Sequence, residues 1–213
     1  MTSTMFTNKL KENFSVNEPI FTGELLKLFS NKSRAQVFRY VESAKENEEL
    51  VQDSTGVYYM PTMTILGTQS KLSPEEIVRK KYIKNDKDVY GVYSGIELLN
   101  MFGMTTQMAA TITIVTNNES SKKRIIKIRN RQFIVKKSRC KITKDNFAYY
   151  TLFELFNCMY NDEKINADAK RRILDFMKKN KMEFMKICDM AKCFPSKAVK
   201  KLMNSGVIYD FVR

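Results

Sequence analysis

The sequence predicts an α+β chain, and three observations carry that expectation. Apolar residues recur at helical spacing through most of the 213 residues. β-Branched or alternating runs at 111–116, 124–129 and 132–136 interrupt that period, with turn signals at Asn117, Asn118 and Asn130 between them. A third signal is the run 50–60, broken by Asp53, Ser54, Thr55 and Gly56, which reads as a hairpin set directly after helices.

The elements follow in order. Residues 5–13 read as a short helix, and Thr22 is placed to cap a second with Leu25, Leu26, Leu28 and Phe29 on its apolar stripe. Ser33 caps a third, on which Val37, Val41 and Ala44 recur at i, i+4 and i+7. With the hairpin closed by Pro61, residues 1–61 are expected to form an N-terminal winged helix-turn-helix. Beyond it, Ser73, Pro74, Glu75 and Glu76 start a helix, because proline and acids suit the first turn. A second helix over 94–102 stops at Gly103 and is followed by the strands, read as a small antiparallel sheet. Residues 148–160 read as a buried helix through Leu152, Leu155, Phe156 and Met159. The stretch 164–213 reads as a helical, HTH-like subregion of the domain 62–213. In it Ser196 caps a helix with Val199, Leu202 and Met203 inside, and 207–209 follow as a strand.

Charge and composition narrow the function. The chain carries 37 Lys+Arg against 23 Asp+Glu, a formal charge of +14, so it should seek polyanions. Residues 1–61 are at −1, while 62–163 carry +7 and 164–213 carry +8. There is no histidine, which removes Ser-His-Asp and Cys-His nucleophile systems and the histidine-ligated zinc and iron sites. The four cysteines, 140, 158, 188 and 193, form no CxxC pair. Buried free thiols are expected rather than a metal site. Residues 1–13 lack the apolar run of a signal peptide and no stretch is apolar enough to span a membrane, so a cytoplasmic chain without membrane contact is expected.

Two sets of residues stand out for binding. A helical wheel turns Ala35, Gln36, Arg39 and Ser43 away from the core of the third helix, where Arg reads guanine and Gln reads adenine in a major groove. Ser33 and Arg34 at its start suit phosphate. The second set is basic: Lys127, Arg129 and Arg131 alternate on what reads as one sheet face, and Lys197, Lys200 and Lys201 line a late helix. These suit nucleic acid or an acidic partner. For catalysis no GxxxxGK[ST] loop occurs, and no spacing unites Glu97, Asp145 and Glu154. Neither enzymatic activity nor a cofactor is expected.

The run GVYSGIELLNMFGMTTQMAATITIVTN at 91–117 resembles the Gly-x-x-Ala-Leu-Asn-x-x-Gly-Leu-Thr-Thr-Gln pattern, followed by a strand, of AbiEi-like antitoxins of type IV toxin–antitoxin systems, through Ser94, Gly95, Leu98, Leu99, Asn100, Gly103, Met104, Thr105, Thr106 and Gln107. The run TGVYYMP at 55–61 is similar to that family's wing strand. The resemblance implies a winged helix that binds the operator DNA of its own operon. It further implies a C-terminal domain that counteracts a nucleotidyltransferase-like toxin without needing a stable complex. Read from the residues alone, Gly103 and Thr105 to Gln107 form a structural corner. Two other functions fit the charge pattern: an RNA- or tRNA-binding module using the basic sheet face with Tyr149, Tyr150 and Phe153, or an adaptor for an acidic protein.

Overall fold

The computed structural model describes residues 3–160 and 165–213, and the chain divides into two compact units, Met1–Ile77 and Val78–Arg213. The expected start of the C-terminal subregion, at 164, lies outside the described residues. Both units mix helices with a small sheet, so the α+β class holds.

The first unit runs α1 (Ser3–Asn13), β1 (Ile20–Phe21), α2 (Thr22–Leu28), α3 (Arg34–Glu46), β2 (Val51–Ser54) and β3 (Val57–Tyr59). The strands form an antiparallel sheet in the order β1-β3-β2, with Ile20 opposite Tyr58 and Val51 opposite Tyr59. Two residues of extended chain give no periodicity, so β1 was invisible to pattern reading; it exists because β3 offers it an edge. Thr22 is not the cap of α2. Phe21 holds that position, and its N–H donates to the Glu24 carboxylate at 2.8 Å. Phe6 stacks on Phe29 with ring centroids 4.7 Å apart, over a core that includes Leu10, Leu25, Val37 and Val41. Residues 62–70 join this unit through Ser70, whose hydroxyl donates to Asn17 at 2.5 Å and accepts from the Thr62 N–H at 2.9 Å.

α4 (Pro74–Tyr82) leads into the second unit, which continues with β4 (Gly91–Ser94), α5 (Gly95–Met101), β5 (Ile112–Thr116), β6 (Lys123–Ile128) and β7 (Arg131–Lys137). Then follow α6 (Phe147–Cys158), α7 (Ala167–Lys179), α8 (Phe184–Ala191), α9 (Ser196–Asn204) and α10 (Val207–Val212). The sheet order is β4-β5-β7-β6, and β5 pairs with β7 in parallel. The sheet is therefore mixed rather than antiparallel. Burial explains the order: β7 carries the fully buried Phe133 and Val135 and takes the inner place, while lysine-rich β6 is left at the edge. β4 was missed because it opens on a glycine. A Cβ at Gly91 would lie 2.0 Å from the Tyr82 carbonyl oxygen, so only glycine lets this strand run against the end of α4.

The sheet is covered on both faces. Val78 and Tyr82 of α4 pack with Ile114, Phe133 and Val135 on one. On the other, Val92 and Val115 meet α6, which is buried from Ala148 through Phe156. α7 to α10 surround α6, contributing Ile173, Ile187, Leu202 and Val207 to that core. Two expectations fail here. Residues 207–209 are helical in α10, because Gly206 at φ +69° turns the chain and Val207 and Ile208 are buried there, overriding β propensity. On α9 the cap is Pro195 and the buried positions are Ala198 and Leu202, while Met203 is 47% exposed; the wheel is turned by about one residue. Among the described residues no helix is long and apolar enough to cross a membrane.

Candidate functional site

α3 is anchored at both levels. Ser33 caps it by accepting the Gln36 N–H at 3.3 Å, and the Gln36 side-chain oxygen accepts the Ser33 N–H at 3.2 Å. This reciprocal cap fixes where the helix begins. Val37, Val41 and Ala44 are buried beneath it. Arg34, Ala35, Gln36 and Arg39 are exposed, and Ser43 is half-buried. Arg34 lies over the Phe38 ring at 5.4 Å, which holds its guanidinium near the helix start. The cap changes the roles open to two residues: Ser33 and the oxygen of Gln36 are engaged, leaving the Gln36 amide NH₂ and the two arginines to face outward. β2 carries Asp53, and the hairpin from Val51 to Tyr59 holds no base, so the helix rather than the hairpin presents positive charge.

The expected basic sheet face is not assembled. Ile128 pairs with Arg131, so those two side chains share a face, and Lys127, opposite Gln132, is on the other. Arg129 is in neither strand; it occupies the connecting turn at φ +50°. Alternation from Lys127 to Arg131 requires unbroken strand, and the turn at Arg129 and Asn130 inverts the parity.

A different cationic feature lies on the Lys127 side. Lys123 and Lys136 stand directly opposite one another on β6 and β7, beside Lys122, Lys137 and Arg139. These five cations line an open groove of about 800 Å³ between the sheet and α6, floored by Val115, Tyr150 and Glu154. Among the described residues no carboxylate pairs with any of the four lysines. Arg139 lies over the Phe194 ring at 5.8 Å, and its N–H donates to the Tyr150 hydroxyl at 3.0 Å. Burial pushes the Tyr150 phenol up, so it stays protonated at neutral pH.

Glu154 is 4% exposed and held from behind the groove. Its Oε1 accepts from the Ser94 hydroxyl at 2.6 Å and its Oε2 from the Asn157 amide at 3.2 Å. Cys158 sits in the same cluster and accepts the Gly95 N–H at 3.1 Å. Burial first, and the Glu154 charge second, push this thiol up, so it holds its proton more firmly than a free thiol. Sequence reading did not unite these residues, yet one signal was present: Glu154 is the only charged residue in the twelve of α6. All four cysteines are free and half-buried rather than fully buried. Among the described residues no group of acidic, cysteine or histidine side chains could hold a metal ion.

The late lysines separate. Lys197 and Lys200 are exposed, whereas Lys201 donates to the Met159 carbonyl just past the end of α6 and serves the fold. Nearby, Lys170 pairs with Asp210 at 2.6 Å and Arg171 with Asp168 at 2.5 Å, which neutralises part of that surface. The 95–107 run is a corner: Gly103 leaves α5 at φ +70°, and the Asn100 amide donates to the Gln107 carbonyl at 2.5 Å.

Residues 15–185 match a family described as Family of unknown function (DUF6088). The chain belongs to this family. The matched span holds α3, the corner and every groove residue, and it ends within α8. No curated protein matches the chain.

Proposed function

We propose that the chain is a DNA-binding antitoxin that represses its own operon and counteracts a nucleotidyltransferase-like toxin, acting by binding rather than by catalysis. The first unit is read as a winged helix-turn-helix, on its order of three helices and a hairpin whose second strand pairs with β1. The observation that carries the reading is α3: a capped helix with Gln36 and Arg39 exposed away from the buried Val37, Val41 and Ala44, and with Arg34 exposed in its first turn. That is what a helix needs to enter a major groove with its first turns. Lys197 and Lys200 supply sequence-independent attraction to phosphates. The antitoxin part rests on the resemblance at 91–107 and 55–61.

The test is a reporter driven by the DNA upstream of the chain's own gene. Wild type should repress it, and Arg39→Ala should relieve repression while keeping the circular dichroism of wild type. Co-expression with the protein encoded beside it tests the second half, where protection from growth arrest is expected. A folded Arg39→Ala variant that represses as well as wild type would remove α3 from the mechanism.

A further inference from the structure

The groove of the second unit is not used by that reading, and its chemistry is specific. We infer that it is a binding site for a nucleoside triphosphate, with the phosphate chain on Lys122, Lys123 and Lys136 and the base toward Glu154. This inference does not rest on the DNA-binding reading, which concerns the other unit.

Four arguments support it. First, Lys123 and Lys136 are direct cross-strand partners, and like charges so placed destabilise a sheet unless an anion lies between them. Neither has a carboxylate to relieve it among the described residues. Second, the cations are focal. With Arg131 and Lys137 on the opposite face of β7 and Arg129 in the turn, they gather at one open groove of about 800 Å³ instead of running on as a track, and that volume is of small-molecule size. Third, the groove changes sign. Its rim is cationic but its floor holds the buried carboxylate of Glu154 beside Val115 and Tyr150. A ligand anionic throughout would meet repulsion there, whereas one with a phosphate tail and a donor-bearing, flat end is matched at both ends. Fourth, the Ser94 hydroxyl and the Cys158 thiol both donate to Glu154 Oε1, at 2.6 and 3.6 Å, whereas Oε2 accepts only from the Asn157 amide at 3.2 Å. A carboxyl oxygen has two lone pairs, so Oε2 retains capacity for an exocyclic amine.

Calorimetric titration of the full chain with ATP, adenosine and inorganic triphosphate, without divalent cations, tests this. ATP should bind, and adenosine and triphosphate should each bind at least about tenfold more weakly, since each lacks one end of the match. The double variant Lys123→Gln, Lys136→Gln should lose ATP affinity by about tenfold or more, and its affinity should depend less on salt. Lys127→Gln, on the same face but outside the groove lining, should stay within about twofold of wild type. The ligand-free double variant should melt no lower than wild type, because removing the facing charges relieves strain in the sheet. The inference is overturned if ATP does not bind, if adenosine or triphosphate binds as well, or if Lys127→Gln loses as much. A double variant that melts lower would make the lysines structural. A ten-nucleotide RNA lacking a 5′ phosphate that binds more tightly than ATP, and is lost with the same variants, would replace the small ligand with a strand.

Discussion

Arg39 and Gln36 show how local structure decides what a side chain is able to do. Both face outward from α3, but the Gln36 oxygen completes the cap with Ser33. Gln36→Ala should therefore weaken DNA binding and also destabilise the first unit, by part of the about 0.5–2 kcal/mol that a cap is worth. Arg39→Ala should lower specific binding by roughly 1–3 kcal/mol with no change in urea unfolding, so the two variants are separable. Ser94→Ala removes a hydrogen bond to a buried carboxylate, and the second unit should lose about 1.5–3 kcal/mol in the same measurement. Cys140 gives a pH signature. Burial first, and Cys193 second, push its thiol from 9.0 up to about 12. A thiol raised on folding keeps its proton where the unfolded chain has released it. The stability it contributes is therefore complete below about pH 9 and is lost as pH rises through about 12. Ultraviolet difference titration against Cys140→Ser should show no thiolate from this residue below about pH 10; a thiolate appearing near pH 8.5 would contradict the burial argument.

At the scale of elements, the late helices make a separable prediction. Lys201→Met should destabilise the second unit by about 1 kcal/mol, because the Met159 carbonyl loses its donor, and it should leave DNA binding unchanged. Lys200→Ala should do the reverse, weakening all duplexes about equally and flattening the salt dependence. Filter-binding and urea titrations on both variants check the pair. The helices were readable because caps and periodic apolar positions are local: Ser33 with Val37 and Val41 placed α3, and Pro74 placed the start of α4. What was not readable depends on distant chain. β1 needs β3, β4 needs the end of α4, and the parallel β5–β7 pairing depends on which strand deserves the buried place. The groove was hidden for the same reason. Lys123 and Lys136 come from two strands whose facing register is fixed only by the turn at Arg129 and Asn130, and alternation carried through Arg129 gives the wrong parity.

Across the whole molecule, charge and function divide between the units. The first unit has 8 Lys+Arg against 10 Asp+Glu, while the second has 29 against 13. Recognition by α3 is thus expected to supply discrimination rather than bulk affinity, and the exposed Lys197 and Lys200 of the second unit to supply the salt-dependent part. The measurement that bears most directly on this is a fluorescence anisotropy titration of the full chain against two labelled duplexes, the DNA upstream of its own gene and a scrambled duplex of equal length. It is run at two salt concentrations for wild type and Arg39→Ala. Wild type should prefer its own upstream DNA at both salts, and Arg39→Ala should bind both duplexes at the wild-type scrambled level with the same salt slope. Equal binding of the two duplexes by wild type, or an Arg39→Ala variant that keeps the preference, would contradict the assignment of sequence reading to α3.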